Sequence, residues 1–332
     1  MSCAYLAFTD RGLALAHRLA LAQPGTVDRC GKDGVRLADW TSRNFARCNA
    51  LVFVGAVGIA VRAIAPHCRS KATDPAVVVV DEAGQFAIPV LSGHLGGANA
   101  LARALATACG AVPVITTATD VRGVFAVDEW AKQAGCTVLE PERIKKVSGR
   151  LLAGEPVGFW SEFPVNGTPP AGVSPAPSQQ QADFALTLFP QGEGLHLVPV
   201  IGVLGVGCRR GTTAQQLEAA FAAFCARCAL SPRCICAAAS IDLKQNEAGL
   251  LEFCAAHRWA VSFYSAGQLK AVPGSFTPSA FVCSVTGVDN VCERAAALAA
   301  RGTIRIPKQA ADGVTFALAL RPYAPDWRNQ NG

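Results

Sequence analysis

No stretch of this 332-residue sequence runs for about 18 apolar residues without a Gly, a Pro or a charge to interrupt it, although hydrophobic residues make up 51% of the whole. That lack argues against a membrane-spanning helix and for a chain with enough apolar surface to build two or three separate cores. Ahead of the apolar run Cys3-Ala4-Tyr5-Leu6-Ala7-Phe8 there is no basic segment, so a short strand explains it better than a signal peptide and a cytoplasmic location is expected. Charge is scarce as well, at 16% of residues. The net charge of +6 is scattered among acids and forms no basic stripe interleaved with aromatics, which speaks against nucleic acid and for an anionic small molecule as the partner. No repeat of fixed period stands out.

Two further signatures are missing. Gly55-Ala56-Val57-Gly58 follows a strand and opens a helix, but it lacks the third glycine of a dinucleotide fingerprint and a clearly placed acid downstream, so a carboxylate held by the turn and Arg62 is favoured over a nicotinamide cofactor. The fourteen cysteines form no convincing metal framework. Cys225 and Cys228 lie on an apolar helix face and Cys234 and Cys236 alternate along a strand, so the four need not converge, and core thiols are the expected state.

What is present alternates between buried strands and amphipathic helices. Strands are expected at 4–8, 51–54, 76–80, 86–91 and 112–115, the third and fourth forming a hairpin across Asp81-Glu82-Ala83-Gly84-Gln85. Thr9 and Asp10 can cap a first helix, and Ala98, Leu101, Ala102, Leu105 and Ala108 make one face of another that Gly110 ends. From about 135 to 196 the pattern is less regular, and the Pro-rich stretch 169–177 resembles a linker. At Val200 a new strand begins, followed by Gly207-Cys208-Arg209-Arg210-Gly211 and a helix capped by Thr212 with Gln215 as reciprocal partner. Later strands are expected at 235–240, 260–264, 280–285, 304–306 and 314–320, with helices near 247–257 and 290–301. The fold class is α/β: two α/β domains with mainly parallel, doubly wound sheets, 1–134 and 197–323, joined by a small middle module at 135–196 and followed by a tail at 324–332.

The chemistry concentrates in Leu91-Ser92-Gly93-His94-Leu95-Gly96-Gly97-Ala98-Asn99, between a strand and a helix. Glycines on both sides of His94 let a ligand approach the backbone, and a helix start favours the neutral imidazole that acts as a base. Thr116, Thr117, Thr119 and Asp120 end the next strand, where open sheets place ligands. Asp81 and Glu82 are either solvated turn acids or partners in the chemistry. Arg209 and Arg210, with Lys244 and Glu247 at the end of the following strand, suggest a second anion-facing rim.

These segments, in this order, resemble the cobalt-precorrin-5A hydrolase family, also called CbiG. The likeness runs through Gly55 to Arg62, Lys71 to Val77, Asp81 to Gly84, Leu91 to Asn99 and Pro113 to Asp120. It resumes at Gly207 to Thr212, Ala239 to Lys244, Glu247 to Leu250 and Val291 to Ala296; the part from about 198 to 322 also looks like the small protein CobE. The resemblance implies an anionic cobalt-corrinoid substrate, cobalt-precorrin-5A, whose ring-A δ-lactone is opened and whose extra meso carbon leaves with its methyl group as acetaldehyde, giving cobalt-precorrin-5B. Cobalt then belongs to the substrate, and no cofactor or protein metal site is required. His94 is the implied base, with Asp81, Glu82 or Asp120 orienting or replacing it, and the N–H groups of Gly96 and Gly97 serve the oxyanion. Gly55, Arg62, Lys71, Ser92, Gly93, Asn99, Thr116, Thr117, Thr119, Arg209, Arg210, Lys244 and Glu247 are the implied substrate contacts. A second reading of the same resemblance is a carrier that passes the intermediate to or from pathway methyltransferases.

Overall fold

The computed structural model describes residues 2–70 and 73–330. The chain divides into two compact units, one built from the residues up to Lys132 together with Ile144–Glu155, the other from Gln133–Arg143 and the residues from Pro156 onward.

The first unit holds a six-stranded sheet in the order β2-β1-β3-β4-β5-β6, made of β1 (Cys3–Ala7), β2 (Gly25–Arg29), β3 (Ala50–Val54), β4 (Ala76–Val80), β5 (Phe86–Leu91) and β6 (Val112–Pro113). β1, β3 and β4 are buried along their whole length, as strands covered on both faces must be. One face packs Leu15 and Leu19 of α1 (Asp10–Ala22) and Leu101 and Leu105 of α4 (Ala98–Cys109). The other packs Trp40 of α2 (Leu37–Arg47) and Ala60 and Ile64 of α3 (Val57–Ile64). The sheet is therefore doubly wound, with Thr9 capping α1 through its hydroxyl and Gly110, at φ 76°, ending α4. β1 to β4 are parallel. The hairpin expected between 76 and 91 forms, so β5 is antiparallel to β4, and β6 follows β5 in parallel. Short helices α5 (Ala118–Arg122), α6 (Val127–Gln133) and α7 (Ile144–Leu152) complete this part of the chain.

The second unit contains two five-stranded sheets. The first, ordered β7-β11-β10-β8-β9, consists of β7 (Cys136–Val138), β8 (Val157–Ser161), β9 (Val173–Pro175), β10 (Phe184–Leu186) and β11 (Leu195–Pro199). The Pro-rich stretch expected to be a linker thus supplies β9, an edge strand, where a missing N–H costs no ladder bond. The other sheet, ordered β14-β13-β12-β16-β15, consists of β12 (Gly202–Cys208), β13 (Ile235–Ile241), β14 (Ala260–Tyr264), β15 (Thr303–Ala311) and β16 (Val314–Leu320). Its helices are α8 (Ala214–Arg227), α9 (Ala248–Ala256), α10 (Ala266–Lys270), α11 (Ala280–Thr286) and α12 (Cys292–Ala300).

Two local expectations are corrected. Residues 280–285 form α11 rather than a strand, because the Ser279 hydroxyl accepts from the Val282 N–H at the start and Gly287, at φ 73°, ends the turn. The α8 capping box is Thr213 with Gln216, one residue later than expected, since the Thr212 hydroxyl donates instead to the Arg209 carbonyl at 2.9 Å. Near the end of the chain Trp327 is 4% exposed and stands edge-on to Phe159 with ring centroids 4.8 Å apart, while Asn166 and the chain from Pro325 to Trp327 exchange backbone bonds. All fourteen cysteines are free thiols. No helix among the described residues is long and apolar enough to cross a membrane.

Gly205 in β12 lies where α12 crosses the sheet, and a Cβ there would run into the Cys292 carbonyl. Gly205→Ala should therefore lower stability by about 1–3 kcal/mol through overpacking. Gly207→Ala, whose Cβ would meet only the Thr315 side chain at 3.5 Å, should leave the thermal midpoint nearly unchanged, and calorimetry of the two variants checks the contrast.

Candidate active site

The reversal of β5 places the site. Because β5 and β6 run against β1, β3 and β4, the loops that follow them open side by side at the edge of the sheet where those three strands begin. Leu91 leads into a turn whose residues Ser92 and Gly97 both have positive φ, 56° and 88°. The turn is closed by the Ala98 N–H on the Ser92 carbonyl at 3.1 Å and the Asn99 N–H on the Gly93 carbonyl at 2.9 Å. Gly93 has no room for a side chain, since a Cβ would sit 2.8 Å from Asn99 Oδ1. After β6, Thr117 is the N-cap residue of α5, which carries Thr119 and Asp120 toward the same place.

His94 sits between two carboxylates. Its Nε2 is 2.8 Å from Asp120 Oδ2 and its Nδ1 is 3.3 Å from Asp128 Oδ1, with all three side chains about nine-tenths buried. Burial alone would lower the imidazole pKa, but the contacts to Asp128 and Asp120 outweigh it and raise it to about 9. His94 is therefore an imidazolium at neutral pH, not the neutral base expected from its place before a helix; two close carboxylates exceed the effect of a helix terminus. Burial would raise Asp120, yet the hydrogen bond from His94 and the charge of Arg103 hold it below the usual carboxylate range. Asp120 also accepts from Arg103 Nη2 at 2.7 Å and from Asn99 Nδ2 at 3.0 Å. Asn99 Nδ2 lies within 2.9 Å of Thr117 Oγ1 as well, and Thr119 Oγ1 lies 3.4 Å from His94 Nε2. From α6, Lys132 Nζ donates to the Gly96 carbonyl at 2.9 Å, filling the space a side chain on Gly97 would need.

Donor atoms of His94, Asp120 and Glu129 all lie within 4.8 Å of one another, near enough for a single cation. Both imidazole nitrogens, however, face carboxylates, and Asp120 is already neutralised by Arg103. As it stands the three belong to an ion-paired network, and a cation would have to compete with the His94 proton for the imidazole.

Of the residues singled out in the sequence, the structure brings together His94, Asn99, Thr117, Thr119 and Asp120, with Ser92, Gly93, Gly96 and Gly97 forming the turn beneath them. Thr116 lies on the segment leading to α5. Asp81 and Glu82 do not join them: they precede β5 while His94 follows it, so six strand residues, about 20 Å, separate them. Asp81 instead secures the hairpin by accepting from the N–H groups of Ala83, Gln85 and Phe86, and Glu82 lines a surface cavity with Arg11 and Arg18. Gly55 follows β3 and so lies at the sheet edge away from His94, packed on the Phe8 ring. Arg62 is exposed on α3. Lys71 lies outside the described residues. Arg103, Asp128, Glu129 and Lys132 were not anticipated. Arg103 is four residues after Asn99 on α4 and shares its face, whereas Asp128 and Glu129 carried no signal beyond that of ordinary first-turn acids.

The second unit has a polar corner of its own at the ends of the parallel neighbours β12 and β13. Glu247 accepts from the Gly211 N–H at 2.6 Å and pairs with Lys244 Nζ at 2.9 Å. The Lys244 contact, with that N–H, holds the Glu247 carboxyl below its usual range. Arg209 and Arg210 flank this tied turn.

Models of the cobalamin synthesis G proteins match the sequence in three parts: the N-terminal model over residues 39–120, the central region over 125–190 and the C-terminal model over 202–319. A cobalt-precorrin-5A hydrolase of Salmonella typhimurium is 35% identical, over 96% of this chain and 97% of its own. The chain belongs to the cobalt-precorrin-5A hydrolase family. A second such hydrolase, from Priestia megaterium, is 34% identical over 84% of this chain and 80% of its own. The crystal structure of CobE, a protein from the cobalamin biosynthetic pathway, covers 38% of this chain and 94% of its own, with 29% identity and a TM-score of 0.35. Membership makes this chain a hydrolase of cobalamin synthesis; His94 and Asp120 fall within the residues matched by the N-terminal model and Asp128 within those matched by the central one.

The His94 charge has a testable sign. Its pKa rises from 6.5 to about 9 on folding, so its stabilisation is complete below about pH 6.5 and disappears as pH climbs through about 9. The His94 ring resonances should titrate near pH 9, and the thermal midpoint advantage of the wild-type hydrolase over His94→Gln, a few degrees at pH 6, should vanish by pH 10. Titration near pH 6.5 would show that the carboxylates do not hold the ring charged.

Proposed function

We propose that this hydrolase acts on cobalt-precorrin-5A, adding water to the ring-A δ-lactone and releasing the extra meso carbon with its methyl group as acetaldehyde. The observation that carries the reading is the placement of a buried imidazole between two carboxylates, beside a glycine turn, in a chain that matches hydrolases named for that substrate over most of its length. Hydrolysis of a lactone builds negative charge on the carbonyl oxygen. A fixed cation in a partly dry site stabilises that charge without reorganising at the moment of reaction. His94 supplies the cation, Asp120 and Asp128 keep it protonated and oriented, and the N–H groups of Gly96 and Gly97 are the donors assigned to the oxyanion. Asn99, Thr117 and Thr119 fix Asp120 and the ring. Loss of acetaldehyde then requires the released hydroxyl to give up its proton as its carbon–carbon bond to the macrocycle breaks.

Cobalt enters this scheme as part of the substrate, and no resident cofactor is invoked. The corrinoid carries carboxylates around its rim, and the corner of Arg209, Arg210 and Lys244, pre-arranged by Glu247, is a proposed binding surface for such groups on the second unit.

Incubating the purified protein with cobalt-precorrin-5A should release acetaldehyde in step with loss of substrate, measured through an alcohol dehydrogenase and NADH. Return of unaltered corrinoid would make the protein a carrier. His94→Ala should lower kcat by about 100-fold or more, and Arg209→Ala should act mainly on KM.

A further inference from the structure

Five ionisable side chains converge on the His94 site, and four of them cancel. Two cations, His94 and Arg103, meet two carboxylates, Asp120 and Asp128, with separations of 2.7 to 3.3 Å. Glu129 is the fifth. It follows Asp128 on α6, is half-buried, and its carboxylate lies within 4.8 Å of donor atoms of both His94 and Asp120. Among the described residues that carboxylate accepts no hydrogen bond and makes no ion pair. Lys132, three residues further along α6, turns to the Gly96 carbonyl instead.

From this arrangement we infer that Glu129 is the catalytic base of the lactone-opening step. The inference rests on the hydrolase reading above. His94 cannot fill the role, because both its nitrogens are committed to carboxylates, and Asp120 cannot, because its two oxygens are occupied by His94, Asn99 and Arg103. Asp128 is tied through Oδ1 to both His94 Nδ1 and the Glu129 backbone N–H, and its charge is what holds the ring protonated. Among the described residues, Glu129 is the acid of this cluster with both carboxylate oxygens unshared, and it is close enough to orient a water over an ester held at the charged ring.

The step balances within the site. A water oxygen lone pair forms a bond to the lactone carbonyl carbon as one water proton passes to a Glu129 oxygen, and the carbonyl π pair moves onto oxygen. When that pair returns, the acyl–oxygen bond breaks and its electrons go to the ring oxygen, which takes the proton back from Glu129. The products are the free acid and the hydroxyl, and Glu129 ends as it began.

The charged groups that face Glu129 are His94 from the turn after β5, Arg103 from α4, Asp120 from α5, and Asp128 and Lys132 from α6. Burial raises the Glu129 pKa first of all, while His94 and Arg103 on one side and Asp120 and Asp128 on the other act in opposite directions. A carboxyl raised above its ordinary range is a stronger base than a free one once ionised. The base form is lost on acidification, so the rate should fall on the acid side.

The test uses the full-length protein with cobalt-precorrin-5A, and wild-type acetaldehyde release is its first reading: without it the hydrolase reading itself fails. Given wild-type turnover, Glu129→Gln should lower kcat by about 100-fold or more, bind the corrinoid within a few-fold of wild type, and lose the acid limb of the kcat/KM profile. Glu129→Asp should recover part of the rate and the limb. Wild-type kcat and an unchanged acid limb in a folded Glu129→Gln protein would overturn the assignment, as would loss of corrinoid binding in place of loss of kcat.

Discussion

A single side chain, His94, is held as a cation from both sides, and the other polar contacts at this edge of the first sheet keep its two carboxylates in place. Asp120 is fixed by Arg103 and Asn99 on α4, and Asn99 is itself fixed by Thr117. Asp128 comes from a different helix, so the clamp joins the turn after β5, the segment after β6 and α6 into one structure. The imidazolium is thereby both product and cause of the local fold. Without its charge, two buried carboxylates would face one another with Arg103 as their remaining strong counter-ion, an arrangement that would force proton uptake.

That clamp exists because the chain turns back at Asp81. Had the strand after β4 entered the sheet in parallel, the glycine turn would open beside Gly55 and the start of α3, and a conventional anion site at the carboxyl ends of β1, β3 and β4 would result. The hairpin carries the site to the opposite edge. It also explains the division of labour among acids that look alike in the sequence: Asp81 spends both oxygens on the backbone of its own turn, whereas Asp120 and Asp128 meet a histidine.

The doubly wound core was legible in the sequence because it depends on local pattern. Runs such as Ala76 to Val80 are apolar throughout, and helix ends carry their own chemistry at Thr9 and Gly110. The histidine turn was legible for the same reason, whereas Thr117, Thr119 and Asp120, expected at the end of a strand over 112–115, instead cap and build α5, since β6 stops at Pro113. Two kinds of information were not legible. The direction of β5 followed from the hairpin reading, but its consequence, that Asp81 and Glu82 stand a strand length from His94, follows only when the register of the whole sheet is known. Asp128 and Glu129 were hidden because nothing in two adjacent acids at a helix start distinguishes a solvated first turn from a charge aimed inward; the distinction lies in where α6 packs. The same ambiguity affected 280–285, where an apolar run fits a strand until the Ser279 cap and Gly287 make it a helix.

The ion-paired network is a poor device for stability. Each buried charge loses its hydration, and the Coulomb energy gained roughly offsets that loss, so an apolar cluster of similar volume would hold these elements together as well. What an apolar cluster cannot provide is a positive charge that stays in place when a substrate excludes water. Desolvation would strip the proton from a lone histidine, because burial works against the cation. Two carboxylates prevent that, and Arg103 prevents the second negative charge from overcompensating. The arrangement with the fewest groups that keeps a buried imidazolium charged and the surroundings neutral is the one seen, two cations against two anions, and any additional acid placed beside it becomes the group whose proton is free to move.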